Sequence, residues 1–162
     1  MNSQKKILVE RLRKAREHLS QFVSQAPVDK QIYPNWTLKQ YLDHLSGWDD
    51  AIIDSLNAHA KNEPVPQTAA RGINAYNADT VTTRETLSFE HTRREFDRSR
   101  EAVIETIQNL ADEKFEQPFT FAWGDSGTVA DLVEIFADHD EEHAEHLKEW
   151  LKHPDQPIVG EH

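Results

Sequence analysis

Neutral histidine is the commonest protein ligand for a divalent metal ion, and "HDEEHAEH" holds three histidines, His139, His143 and His146, within eight residues. His139 and His143 are four apart, so on a helix they share one face, one turn above the other. The series Leu132, Ile135, His139, His143, His146, Trp150 is spaced 3, 4, 4, 3 and 4. The histidines therefore continue an apolar stripe. Asp138, Asp140, Glu141, Glu142 and Glu145 fall largely on other faces. An imidazole placed among apolar groups costs free energy unless its nitrogens find partners. A divalent ion is one such partner, and an i, i+4 pair can bind one ion through both rings. The order is H-D-E-E-H rather than H-E-x-x-H, which argues against a metalloprotease.

A catalytic metal site usually takes three protein ligands and keeps one position open. The third candidate is His44 in "YLDHLSGWDD", three residues after Tyr41 and four before Trp48. It lies seven residues past Thr37, and His139 lies eleven past Thr128, so both fall near mid-helix. His18, His59, His91, His153 and His162 lack this placement and read as surface residues. His146 has three readings: a fourth ligand, a group behind the ligands, or a rim residue. The residues alone leave two accounts open, a three-histidine metal site and a set of hydrogen-bonded core histidines.

Four helical segments must position these groups. The first runs from about Ser3 to Ala26 on the stripe Ile7, Leu8, Leu12, Ala15, Leu19, Phe22, Val23, and Pro27 ends it. The second opens at "NWTLKQ", where Thr37 caps and Gln40 completes a capping box. Leu38, Leu42, Leu45, Trp48, Ile52 and Leu56 form its stripe, and it ends near His59 before Pro64 and Pro66. The third spans about Ser88 to Leu110, with Phe89, Phe96, Val103, Ile107 and Leu110 inward. The fourth follows the turn at Gly124 and Gly127. Thr128 caps it, and Val129, Leu132, Ile135 and Phe136 lead its apolar face as far as about Leu151. The segment "QPFTFAW" can extend briefly but shows no obvious strand partner.

Four helices of this length predict an all-α four-helix bundle, one domain over residues 1–162 with its core roughly in 3–151. The connection from Ala60 to Leu87 is long enough to cross the bundle and let helices two and three run parallel, or to act as a lid.

Charge narrows the function. The net charge is −11. Residues 1–100 hold 15 Lys+Arg against 13 Asp+Glu, while residues 101–162 hold 3 against 16. Phosphate binding needs clustered cations, so no nucleic-acid partner is expected. Arg93, Arg94, Arg98 and Arg100 alternate with acids at helical spacing and read as a salt-laced solvent face. The absence of cysteine excludes disulfides, thiolate zinc sites and cysteine nucleophiles, and points to a cytoplasmic setting. No apolar run approaches the roughly 20 residues of a membrane helix, so no membrane partner is expected.

Two segments together carry a family resemblance. "NWTLKQYLDHLSGWDD" resembles the second-helix motif of the DinB/YfiT-like four-helix bundles, and "HDEEHAEHLKEW" resembles their fourth-helix H-x-x-x-H pair. "INAYNADTVTTRETLSFEHTRREF" is similar to the ClbS/DfsB-like branch. The resemblance spans about Leu8 to Leu151. It implies a divalent ion, zinc or nickel, on His44, His139 and His143. It also implies thiol transfer or hydrolysis on a small electrophilic substrate, as in relatives that use low-molecular-weight thiols or open an electrophilic cyclopropane. A non-catalytic metal-binding or sequestering bundle is the alternative. Bundles of this kind commonly pair, so a homodimer is a further expectation. Where some thiol transferases carry a basic or aromatic run after the second histidine, this chain has "AEHLKEW", which disfavours an anionic thiol. Trp48, Tyr76 and Trp123 are candidate walls of the substrate pocket.

Overall fold

The computed structural model describes residues 3–34 and 36–158; Asn35 of the helix-start motif and His162 lie outside the described residues. Four long helices dominate: α1 (Ser3–Val23), α2 (Leu38–Ala60), α4 (Phe89–Gln108) and α6 (Val129–Trp150). Two shorter ones, α3 (Ile73–Thr82) and α5 (Asp112–Glu116), fall in the connections.

The caps define where the long helices start. The Thr37 hydroxyl accepts from the Gln40 amide, and the Gln40 side chain accepts from the Thr37 N–H, which completes the capping box. Thr128 and Asp131 make the same reciprocal pair at α6. Ser88 caps α4.

Directions follow from which residues meet. Asp43 accepts from Thr92 and Asp49 from Ser99, so α2 and α4 run parallel. Arg11 and Arg16 on α1 reach Glu134 and Asp140 on α6, so that pair is parallel too. Arg13 pairs with Glu101 and Arg93 with Ser24, so α1 and α4 are antiparallel. The long connection thus crosses the bundle. It is held as a wall: the Tyr76 hydroxyl donates to Gly47 O at 2.6 Å, and Trp48 Nε1 donates to Asn77 Oδ1 at 2.6 Å. Burial pushes the Tyr76 hydroxyl up to about 12, so it stays a donor. Gly47 permits this closeness, because a Cβ there would lie 2.3 Å from Thr80 Cγ2.

Two short antiparallel pairs complete the chain. β1 (Gln31–Tyr33) pairs β2 (Trp36–Thr37), and β3 (Phe119–Thr120) pairs β4 (Ser126–Gly127). The "QPFTFAW" segment therefore has a partner, supplied by the turn in which Gly124 takes φ +101.

The core is split. One apolar cluster gathers Leu12, Trp48, Ile52, Val103 and Phe136; the other gathers Leu19, Leu42, Leu45, Phe96 and Leu147. Between them sits a layer with one charged residue from each long helix: Arg16, Asp49, Arg100 and Asp140, all buried. Arg16 donates to Asp49 Oδ2 at 2.9 Å and to Asp140 Oδ2 at 3.1 Å. Arg100 meets Asp140 at 2.8 Å and Asp49 at 3.2 Å. Arg100 therefore leaves the expected solvent face, and Asp140 the expected acidic one, because each neutralises a charge that no water reaches. Ile7 is also a correction: it is 68% exposed and outside the core stripe.

Candidate metal centre

α2 and α6 bring His44, His139 and His143 together. Each offers a ring nitrogen, and these atoms all lie within 4.8 Å of one another. His44 and His143 are buried and His139 is half-buried. The His139 and His143 Nε2 atoms are 2.9 Å apart. His44 Nδ1 lies 2.7 Å from Tyr41 O. A carbonyl only accepts, so Nδ1 carries the proton and Nε2 carries the lone pair. Trp36 covers the His44 ring at a centroid distance of 4.4 Å. Burial holds the His139 imidazole below its ordinary value, although Asp140 and Glu142 pull the other way, so the ring is neutral near pH 7. Neutral imidazoles converging on one point suit a divalent cation.

His146 stands outside this group. Its Nδ1 turns to the Tyr33 hydroxyl at 3.2 Å, and Tyr33 also meets His143 Nδ1 at 2.7 Å. Tyr33 gave no signal in the helical pattern, since it arrives from β1. His59, expected at the surface, is buried: its Nε2 donates to Lys114 O at 2.8 Å and its ring stacks on Phe119. The loop before α6 brings Phe119 up beneath α2, which helical spacing could not reveal. His18 is half-exposed, and His91 and His153 are exposed.

His139, His143 and His146 form part of the lining of a cavity of about 820 Å³. Trp48 and Trp123 line it as expected; Tyr76 instead packs behind Trp48, at a centroid distance of 4.5 Å. Ile73 and Ile135 line it too and remain 52% and 45% exposed. Ile135, read as a core residue, faces this opening instead.

The pattern of the DinB superfamily matches residues 7–147. The chain belongs to the DinB superfamily. Among solved structures, it superposes on a mycothiol-dependent maleylpyruvate isomerase with a TM-score of 0.76 at 13% identity. The match covers 91% of this DinB chain but only 63% of the isomerase. An uncharacterised protein from Escherichia coli UTI89 gives 0.76 at 14% identity, over 98% of each chain. The colibactin self-resistance protein ClbS, crystallised with double-stranded DNA, gives 0.73 at 12%, over 92% of this chain and 95% of ClbS. No curated protein matches the DinB chain in sequence. At these identities the likeness is one of fold. It nevertheless corrects one expectation: a bundle of this fold is crystallised with DNA, so the net charge of −11 does not rule out a nucleic-acid partner. Among the described residues, no helix is long and apolar enough to cross a membrane.

Proposed function

We propose that the protein is a divalent-metal-dependent enzyme that transfers a thiol to, or hydrolyses, a small electrophilic substrate, with His44, His139 and His143 as the metal ligands. The observation that carries this reading is the convergence of three imidazole nitrogens beside the 820 Å³ cavity. Zinc or nickel suits an all-imidazole donor set. A bound divalent ion supplies Lewis-acid charge, which favours the deprotonated form of a thiol or water at neutral pH.

The protein's own groups do the rest. The Tyr41 carbonyl holds the His44 ring with Nε2 toward the site. Trp48, Phe136 and Ile135 give the substrate an apolar wall, and Trp123 closes one side. Asp125 and Glu142 line the same cavity against one cation, Arg71, so the acids outnumber the bases there and a neutral electrophile fits better than an anionic thiol.

The test is elemental analysis of untagged protein beside His44→Ala and His139→Ala. About one equivalent of a divalent ion in wild type, absent from both variants, is the expected outcome. No ion after reconstitution with zinc and nickel sinks the proposal. Metal binding without turnover over a panel of thiols and electrophiles leaves sequestration as the function.

A further inference from the structure

The connection between α2 and α4 sets unanswered hydrogen-bond donors on the cavity. Gly72, Ile73, Asn74 and Ala75 open α3 and all line it. Asn77 lines it too, four residues after Ile73 and so on the same face. The first turn of a helix leaves amides with no partner inside the helix, and no side chain caps α3. Among the described residues the amides of Ile73, Asn74 and Ala75 find no backbone partner either. The first α3 amide to bond back is that of Tyr76, to Gly72 O.

Asn77 supplies a second, independent donor. It is only 5% exposed. The Trp48 indole N–H donates and cannot accept, so the 2.6 Å contact turns Oδ1 toward Trp48 and Nδ2 away from it. Nδ2 donates to no group among the described residues, yet it keeps an open face. A polar atom in so buried a residue normally has a partner. The space beside it is the cavity that Asn77 lines.

These donors are fixed in advance. Tyr76 on Gly47 O and Asn77 on Trp48 clamp α3 to α2, so little reorganises when an acceptor arrives. A wall of aromatic rings joins them to the histidines: Trp48 packs on Phe136 at a centroid distance of 6.0 Å, and Phe136 on His139 at 6.5 Å. A helix start favours negative charge. Asp125 and Glu142 oppose that here with only Arg71 against them, so an uncharged oxygen fits better than a carboxylate.

Resting on the metal reading for the reacting end, we infer that the start of α3 and Asn77 Nδ2 form an anchor for an uncharged carbonyl oxygen of the substrate, separated from the histidines by the rings of Trp48 and Phe136. The substrate class is a neutral molecule with an amide, ester or ketone at one end, an apolar middle, and the electrophilic carbon at the other.

The test uses phenylacetamide as the probe and phenylacetate as its near-isosteric anion, each titrated into metal-free protein and followed by 15N–1H spectra. In wild type, phenylacetamide is expected to move the Asn77 side-chain amide and the Ile73, Asn74 and Ala75 amides downfield. Asn77→Asp keeps an acceptor for Trp48 and removes the donor. It is expected to bind phenylacetamide about 5- to 10-fold more weakly, the loss of one hydrogen bond, with the melting temperature of wild type. Wild-type α3 amides that stay still up to the probe's solubility limit overturn the anchor without any variant. Phenylacetate binding more tightly than phenylacetamide overturns the uncharged class. Asn77→Asp with wild-type affinity overturns the part given to Asn77. The titration needs no ion, so each of these outcomes is separate from the elemental analysis that decides the metal reading.

Discussion

The charge layer of Arg16, Asp49, Arg100 and Asp140 and the cluster of His44, His139 and His143 share α6, where Asp140 follows His139 directly. Both are buried polar groups in a helical bundle, yet their partners differ in kind. In the charge layer every carboxylate faces guanidinium donors, and the Ser99 hydroxyl adds a further bond to Asp49 at 2.5 Å. Burial alone would push the Asp49 carboxyl up, but Arg16 and Arg100, helped by Ser99, outweigh it and hold the group below the usual carboxylate value. The layer is satisfied from within. The histidine cluster instead aims nitrogens of two rings at each other across 2.9 Å, a contact that only a shared proton or a cation can make favourable. The first region closes on itself and ties the four helices together; on the metal reading proposed above, the second offers its imidazoles to an ion.

The comparison breaks most sharply by mutation. Asp49→Ala leaves Arg16 and Arg100 short of a counter-charge. It should cost about 3–5 kcal/mol, the usual penalty for stranding a buried charge, read from urea unfolding. If the histidine cluster were an equally closed structural unit, His139→Ala would cost a comparable amount without metal. The expected loss in metal-free protein is far smaller. Its effect appears with metal: at a concentration a hundred times the dissociation constant, wild type should gain about 2.7 kcal/mol of stability and His139→Ala none. Equal melting curves for both proteins, with and without zinc, would erase the distinction.

Acid separates the two regions by pH. The folded His139 value is depressed, so the unfolded chain takes up the proton first. Stability of the metal-free protein should therefore begin to fall as pH drops through the unfolded histidine value of about 6.5, and His139→Ala should blunt that loss. The folded Asp49 value is also depressed, but its contribution persists above the unfolded carboxylate value of about 3.9 and is lost only in stronger acid. A single acid transition unaffected by His139→Ala would contradict the separation.

The smallest expected effect tests the stretch of α2 between the layers. Gly47→Ala gains helix propensity of about 1 kcal/mol but forces Thr80 and α3 away. Zinc affinity should hold, while the Asn77–Trp48 contact weakens and Trp48 fluorescence shifts. A crystal structure of the variant with α3 in place would show that Gly47 is not what admits it.

Much of this was legible in the chain. Local physics wrote the four long helices: side-chain caps at Thr37, Ser88 and Thr128 supply orphan amides, and the 3.6-residue stripes mark the inward faces. The i, i+4 spacing put His139 and His143 on one face, and equal depth brought His44 opposite them. The charge layer had a trace too, since Arg16, Asp49, Arg100 and Asp140 each stand four residues after a buried apolar residue: Leu12, Leu45, Phe96 and Phe136. That trace is ambiguous in one dimension, because a charge on a stripe edge faces water unless three other helices deliver its partners. Only the tertiary structure settled where Arg100 and Asp140 point, that Tyr33 arrives from a short strand to stand behind His143, and that the 60–87 connection builds a cavity wall with α3 rather than a free loop. Helical periodicity records which face of a segment is buried. It carries no record of what the other segments place against that face, and the chemistry of this protein lies in those meetings between helices.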